Sequence, residues 1–170
     1  MKDHCINSLN KSICLILFLV SFAVAGQSQD GISNLLDKYN KETVTYLSVD
    51  ALKRNYSDYL ILDTRTKSEY DISHLPNSIW VGEDYLEENM PKIDKSQKVV
   101  VYCTVGVRSE NFGEQLLERG FEKVFNLYGS IFMWKDSGYP IVDANNRPTD
   151  SVHVYSRKWG EYLKTGKKVY

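Results

Sequence analysis

Residues 98–109 read KVVVYCTVGVRS, and this stretch decides the fold of the 170-residue chain. Its first five residues include three consecutive valines, which is typical of a strand that is buried on both faces of a parallel sheet. A short loop that starts at Cys103 joins this strand to a helix predicted at 108–119. A buried strand that passes through a tight loop into a helix indicates an α/β domain, in which ligands bind beyond the carboxyl ends of the strands.

The segments on either side of this stretch repeat the alternation of strand and helix. The sequence predicts strands at 43–47, 59–63, 78–81 and 124–127, and helices at 32–39, 48–54, 84–90 and 131–135, with a helical turn near Ser68. Because helices separate successive strands, we expect a parallel sheet with helices on both faces.

The composition is that of a single globular domain. Hydrophobic residues make up 42% of the chain and charged residues 25%, and the formal net charge is −1. This balance has no basic excess of the kind that nucleic-acid binding requires, and we therefore expect no nucleic-acid partner.

Residues 1–25 have the order of a secretory signal peptide. Lys2 and Lys11 precede an apolar run at 13–25, which ends in the small-residue pattern Ala23-Val24-Ala25. A membrane-spanning helix needs about 20 residues, so this run is short for a span. We expect cleavage of the leader and export to the periplasm or the extracellular space, with no integral membrane domain afterwards. The alternative is an uncleaved leader that tethers the protein to the membrane.

Cleavage of the leader would leave one cysteine in the chain. Cys5 and Cys14 lie within residues 1–25, so Cys103 would remain alone. A single cysteine forms no internal disulfide. A leftover cysteine in an exported protein indicates a reactive thiol or an intermolecular pair.

The loop after Cys103 has the features of an anion-binding nest. Its backbone N–H groups are expected to point inward, next to the positive end of the following helix. Gly106 permits a backbone conformation that other residues resist, and Arg108 offers a fixed positive charge at the rim. Positive charge favours the thiolate form, so Cys103 is a candidate nucleophile. The alternative is a buried and inert side chain that only packs.

Four ordered motifs within residues 60–142 resemble those of the rhodanese family. In chain order they are Leu62-Asp63-Thr64-Arg65 with Glu69-Tyr70, His74-Leu75-Pro76-Asn77-Ser78, the Cys103 loop with its C-x-x-G-x-R-S pattern, and Leu127-Tyr128-Gly129-Ser130 with Trp134 and Gly138-Tyr139-Pro140-Ile141. The sequence departs from the family pattern at Ser73, Asn77-Ser78 and Ser130. None of these departures is expected to touch the active-site loop.

The resemblance implies a mostly parallel five-stranded α/β sheet at 43–142, preceded by a helical lead-in at 26–42. It also implies a sulfurtransferase, in which Cys103 takes sulfane sulfur from thiosulfate or a persulfide and passes it to an acceptor. The implied substrate-binding residues are Thr104, Val105, Gly106, Val107 and Arg108, and the supporting residues are Asp63, Arg65 and Ser109. We expect Asp63 and Arg65 to form an ion pair that fixes the end of a strand.

The implied donor is a small anion, and the implied acceptor is cyanide, a thiol or a protein cysteine. The protein is expected to act as a monomer, without a metal or an organic cofactor. The histidines, His4, His74 and His153, are too few and too scattered in the sequence to predict a zinc site. His74 is expected to be a hydrogen-bonded structural residue.

Two other functions remain open. A cysteine phosphatase also uses a thiolate in an anion-binding loop, but its typical spacing is C-x5-R, whereas Cys103 and Arg108 have the spacing C-x4-R. The shorter loop suits a sulfur atom better than a phosphate group. The second alternative is a module that carries a persulfide or binds a partner without multiple turnover.

Residues 143–170 form a polar C-terminal extension in which aromatic residues recur. Trp159, Tyr162 and Leu163 are spaced for one face of a helix, so we expect a short helix docked on the domain. The alternative is an element that binds a partner.

Overall fold

A five-stranded parallel sheet forms the centre of the protein. The computed structural model describes residues 31–170. The strands are β1 (Thr45–Leu47), β2 (Leu60–Asp63), β3 (Ile79–Trp80), β4 (Lys98–Tyr102) and β5 (Lys123–Leu127), and their order across the sheet is β1-β5-β4-β2-β3. Each neighbouring pair runs parallel, which confirms the predicted α/β sheet.

Helices alternate with these strands. They are α1 (residues 31–39), α2 (Val49–Arg54), α3 (Lys67–Ile72), α4 (Val107–Glu118) and α5 (Ser130–Asp136). Local sequence determines where α2 and α3 begin. The Ser48 hydroxyl accepts a hydrogen bond from the Ala51 amide, and Thr66 and Glu69 form a reciprocal capping box.

The two faces of the sheet bury different hydrophobic clusters. Along β4, Val99 and Val101 pack on one face with side chains of α4, whereas Val100 and Tyr102 pack on the other face with α1, α2 and α5. Successive side chains of a strand point to opposite faces, so both faces of β4 are covered. This double burial explains why the strand is apolar without interruption.

The C-terminal extension is a packed part of the domain. Just before it, β6 (Ile141–Val142) pairs antiparallel with β7 (Pro148–Thr149), the first strand of the extension. The extension continues with β8 (Ser151–His153), α6 (Arg157–Gly160) and β9 (Lys167–Val169), and β8 runs parallel to β9. Val152, Val154 and Leu163 are buried in the same cluster as α1, α2 and α5. The expected short helix is present as α6, but it ends at Gly160, so Tyr162 and Leu163 lie beyond it and do not share a helical face with Trp159. The strands β8 and β9 were not expected, because their alternation of apolar and polar residues is too short to indicate strands.

The helix predicted at 84–90 is wrong. The structure has only a 3₁₀ turn at Glu87–Asn89, flanked by extended backbone. A helix would have placed Asp84 one turn from two glutamates, and like charges at this spacing are destabilising. In addition, Pro91 disfavours helical backbone at the residue before it.

The predicted leader at 1–25, with Cys5 and Cys14, lies outside the described residues. Within residues 31–170, no helix combines the length and the apolar character needed to cross a membrane.

Candidate active site

Cys103 directly follows the central strand β4 and is 1% exposed. Its backbone is tied to the start of α5, because its amide donates to Ser130 Oγ at 3.1 Å and its carbonyl accepts from the Ile131 amide at 3.3 Å. The carbonyl of Thr104 accepts from Phe132 in the same way. The expectation that Ser130 stays away from the loop is therefore wrong, since its hydroxyl replaces a missing strand partner of Cys103.

Gly106 forms the turn of the loop and places a donor against the sulfur. Its φ of +117° lies in the region that favours glycine, as predicted, and its amide donates to Cys103 Sγ at 3.2 Å. A Cβ at this position would lie 3.2 Å from Leu36 Cδ2 of α1. The Gly106 carbonyl accepts from the side-chain amides of Asn40 and Asn126, each at 2.9 Å. These two bonds hold the peptide in the orientation that aims its amide at the thiol.

The electrostatics of the loop favour the thiolate. Burial raises the pKa of the Cys103 thiol, but the charge of Arg108, the hydroxyl and amide of Ser109 and the Gly106 amide together lower this pKa below its ordinary value. Ser109 Oγ lies 3.6 Å from Cys103 Sγ and 2.7 Å from Asn126 Oδ1. Ser109, predicted as a supporting residue, therefore contacts the sulfur itself.

Arg108 is held by two carboxylates at the rim of the site. Its guanidinium lies 2.7 Å from Glu69 Oε1 and 2.7 Å from Glu83 Oε1, and it donates to Thr104 Oγ1 at 2.8 Å. Thr104 Oγ1 in turn donates to Glu69 Oε1 at 3.1 Å. The positive charge predicted at the rim is present, but it is largely compensated locally. This compensation was not expected, because Glu69 and Glu83 are far from Arg108 in sequence.

Asp63 and Arg65 support the end of β2 and do not line the cavity above the thiol. Their predicted ion pair is confirmed, with Arg65 Nη2 at 2.6 Å from Asp63 Oδ2 and both side chains fully buried. Arg65 also donates to the carbonyl of Ser73 at 2.7 Å. These contacts fix the turn that leads into α3, and α3 supplies Glu69 to the site.

A cavity of about 120 Å³ opens above the thiol. Its lining comprises five residues of the loop region and two aromatic residues of the C-terminal extension: Cys103, Thr104, Val105, Val107, Arg108, Tyr155 and Trp159. The predicted substrate-binding residues are thus brought together around one space, with Gly106 beneath it. The contribution of Tyr155 and Trp159 was not predicted.

His74 packs against Tyr70. Its ring stacks on Tyr70 with 3.9 Å between centroids, and its Nδ1 lies 3.0 Å from the Tyr70 carbonyl, as expected for a hydrogen-bonded structural histidine. Among residues 31–170, no group of three or more histidine, cysteine or acidic side chains is arranged to hold a metal ion.

Sequence reasoning missed several residues that build the site, and the signals for them differ. Asn126 is a polar residue within the apolar strand β5, and this could have marked it as a buried hydrogen-bonding residue. Ser130 departs from the family pattern, and this departure could also have marked it as a residue with a particular role. Asn40, Tyr155 and Trp159 carry no such signal, because only the fold brings Asn40 to Gly106 and the two aromatic residues to the cavity.

Comparison with known proteins agrees with this geometry. The profile of the Rhodanese-like domain matches residues 48–137, more than half of the chain. The thiosulfate sulfurtransferase GlpE of Coxiella burnetii is 35% identical over 88 residues, which cover 52% of this chain and 81% of that protein. The tRNA uridine(34) hydroxylase of Yersinia enterocolitica is 32% identical over 125 residues, which cover 66% of this chain but 35% of that protein.

Solved structures share the fold. The rhodanese-related protein of Thermoplasma volcanium has a TM-score of 0.53 at 28% identity, over 58% of this chain and 97% of that chain. A protein of Rhodopseudomonas palustris described as a possible tyrosine phosphatase has a TM-score of 0.51 at 25% identity, over 65% of this chain and 92% of that chain.

Proposed function

This chain belongs to the rhodanese-like domain family, and on that premise we propose that it is a sulfurtransferase whose Cys103 carries sulfane sulfur between a donor and an acceptor. The donor is thiosulfate or a persulfide, and the acceptor is cyanide, a thiol or a protein cysteine. The similarity to a thiosulfate sulfurtransferase supports this reaction class. The hydroxylase activity of the tRNA-modifying relative is not carried over, since the match covers 35% of that protein.

One observation carries the proposal: a cysteine with a lowered pKa lines a small cavity at the carboxyl end of the central strand. A thiolate is the nucleophilic form of cysteine, and this edge of a parallel sheet is where ligands bind. An inert packing cysteine would need neither the Gly106 donor nor the nearby charge of Arg108. The geometry therefore favours a working thiol over a structural one.

The reaction proceeds in two steps. The Cys103 thiolate attacks the outer sulfur of thiosulfate, a new S–S bond forms, and the S–S bond of the donor breaks as sulfite leaves with its electron pair. The acceptor then attacks the outer sulfur of the Cys103 persulfide and releases the original thiolate. The Gly106 amide, 3.2 Å from Cys103 Sγ, supports the anion at both ends of this cycle.

We also propose that the protein is exported and acts as a monomer. The leader-like residues 1–25 support export to the periplasm or the extracellular space, or tethering to the membrane if they are retained. Sequencing the N-terminus of the protein from its host tests this: a start at Gly26 supports cleavage, and a start at Met1 supports tethering.

Mass spectrometry after treatment with thiosulfate tests the proposed reaction. The peptide that contains Cys103 should gain one sulfur, about 32 Da, and cyanide should remove it with release of thiocyanate. The Cys103→Ser variant is the control and should gain nothing. Absence of loading by thiosulfate and by a persulfide donor would contradict the proposal.

The same preparation distinguishes the two alternatives. Loading without repeated turnover, for all donors and acceptors tried, would favour a persulfide carrier over an enzyme. Hydrolysis of an aryl phosphate without sulfur loading would favour a phosphatase.

A further inference from the structure

Two aromatic side chains from outside the family-matched residues form one side of the Cys103 cavity. Tyr155 and Trp159 line it, and their rings contact edge to face with 6.4 Å between centroids. The guanidinium carbon of Arg108 lies 5.1 Å from the centroid of the Tyr155 ring. We call Tyr155 and Trp159 the aromatic wall.

The backbone holds the aromatic wall in place at a cost. Tyr155 has a φ of +62°, which is unfavourable for a bulky residue. Its amide donates to His153 Nδ1 at 3.1 Å, and the preceding Val154 is fully buried. The Ser156 hydroxyl accepts from the Trp159 amide at the start of α6. A strained aromatic residue that is fixed at the mouth of a reactive cavity points to a role in what enters it.

Two carboxylates weaken the attraction of Arg108 for a dianion. Arg108 contributes one positive charge, and Glu69 and Glu83, both in contact with it, contribute two negative charges, which leaves a net charge of −1. Thiosulfate carries two negative charges. Of these three side chains only Arg108 lines the cavity, and its pairing with two carboxylates leaves less positive charge to attract a dianion.

The size of the cavity and its walls suit a small organic group. Val105 and Val107 face the space with the aromatic wall, and its volume is about 120 Å³. An apolar cavity of about 150 Å³ holds a benzene ring, so a space of this size takes a short alkyl chain or one ring that projects partly into solvent. Aromatic contacts with such a group are favourable beyond simple burial.

We propose that Tyr155 and Trp159 are specificity-determining residues that select organic sulfur donors, such as persulfides and thiosulfonates with an apolar group, over inorganic thiosulfate. This inference rests on the proposed sulfurtransferase function. In the step it concerns, the Cys103 thiolate attacks the outer sulfur of R–SO₂–S⁻. The new S–S bond forms as the donor's S–S bond breaks, and the sulfinate R–SO₂⁻ leaves with the electron pair.

Three donors separate the effect of the organic group from the effect of charge. Benzenethiosulfonate and methanethiosulfonate are both monoanions and differ in the group R, whereas thiosulfate adds one charge. With cyanide as acceptor, Tyr155→Ala and Trp159→Ala should each lower the ratio of kcat/KM for benzenethiosulfonate over methanethiosulfonate roughly three- to tenfold. Tyr155→Phe keeps the ring and should retain the wild-type ratio.

Tyr170→Ala is the matched control for the aromatic wall. Tyr170 is an exposed aromatic residue of the same extension that lies over Arg157 and not over Cys103. Its removal should leave the donor ratio unchanged. The inference is overturned if the ratio is unaltered in both Tyr155→Ala and Trp159→Ala, or if Tyr170→Ala lowers it as much.

The charge component has its own variant. Glu83→Gln removes one negative charge from the rim and should raise kcat/KM for thiosulfate relative to methanethiosulfonate several-fold. If Glu83→Gln leaves the ratio of kcat/KM for thiosulfate over methanethiosulfonate unchanged, the proposed effect of charge on donor choice is overturned.

Two further readouts prevent misinterpretation. Tyr155 is 57% exposed, so Tyr155→Ala should fold. Thermal melts check the folding of every variant. If Cys103 loads with sulfur but the donor ratios do not respond, only this inference fails. If no donor loads Cys103, the proposed function fails and the inference fails with it.

Discussion

At the scale of single residues, the site depends on a balance between burial and charge at one sulfur atom. Cys103 is 1% exposed, and such burial alone would keep a thiol protonated. Arg108, Ser109 and Gly106 reverse that effect and lower the pKa of the thiol. The reactivity of Cys103 is therefore a property of its neighbours, and it should respond to their substitution.

The first prediction concerns Arg108. Arg108→Ala removes the nearby positive charge, so the pKa of Cys103 should rise and alkylation by iodoacetamide at pH 7 should slow several-fold. The measurement is the pH dependence of the alkylation rate, whose midpoint should move to higher pH. Arg147→Ala is the control, because Arg147 pairs with Asp143 on the surface. An unchanged midpoint in Arg108→Ala would contradict the role assigned to its charge.

The second prediction compares two glycines that both have positive φ. Gly106→Ala should lower the free energy of unfolding by about 1–3 kcal/mol, since it combines backbone strain with a contact at 3.2 Å to Leu36. Gly138→Ala shares the strain, but a Cβ there meets nothing within 4 Å. Urea denaturation should show the larger loss for Gly106→Ala. Equal losses would mean that the Leu36 contact relaxes without cost.

At the scale of secondary-structure elements, α3 follows strand β2 and brings Glu69 to the Cys103 loop. Its Glu69 closes the capping box with Thr66 and also contacts Arg108 and Thr104. One carboxylate therefore determines where the helix begins and holds the arginine that lies beside Cys103. The Glu69 carboxylate therefore couples the stability of the N-terminus of α3 to the electrostatics of the Cys103 thiol.

The third prediction follows from the titration of Glu69. Burial raises its pKa, but hydrogen bonds and charges from Arg108, with Arg65 and Thr66, outweigh this and lower the pKa from 4.5 to about 2. A carboxyl with a lower pKa in the folded chain stabilises the fold above its unfolded pKa, and this stability is lost as the pH falls from about 5 to about 2. The difference in unfolding free energy between wild type and Glu69→Gln should therefore shrink over that range.

Urea denaturation at pH 7, 5 and 3 measures this difference. Asp71→Asn is the control on the same helix, because Asp71 forms an exposed pair with Lys67 and such pairs contribute little. A difference between wild type and Glu69→Gln that stays constant with pH would contradict the assigned pKa shift.

At the scale of the whole molecule, the C-terminal extension completes both the core and the cavity above Cys103. Val152, Val154 and Leu163 lie in the cluster that covers one face of the sheet, and Tyr155 and Trp159 line the cavity. The segment that positions the aromatic wall is therefore anchored by buried side chains. Changes in this extension should affect stability as well as donor choice.

The fourth prediction tests this anchoring. Leu163→Ala should destabilise the protein by about 2–5 kcal/mol, as expected for a buried leucine in a packed core. Leu117→Ala, at a position that is 37% exposed on α4, should cost much less. Thermal or urea denaturation of both variants measures the two losses of stability. A small cost for Leu163→Ala would mean that the extension is only loosely attached.

The sequence alone determined the parallel sheet, its flanking helices and the place of the candidate nucleophile Cys103. The valine run of β4 and the glycine after Cys103 act through local rules: burial on both faces of a strand and backbone freedom at a turn. The Asp63–Arg65 pair was also predictable, because its members are two residues apart. The helix predicted at 84–90 was wrong, since charge repulsion and Pro91 disfavour helical backbone there.

Only the tertiary structure decided which groups lower the pKa of the Cys103 thiol and which side chains cover it. Glu69 and Arg108 are 39 residues apart, and Asn40 and Gly106 are 66 apart, so no local pattern could pair them. Tyr155 and Trp159 reach the cavity because Val152 and Val154, just before them, are buried in the cluster on one face of the sheet. Contacts of this kind depend on the packing of distant segments, and packing is a property of the folded chain rather than of any short stretch of its sequence.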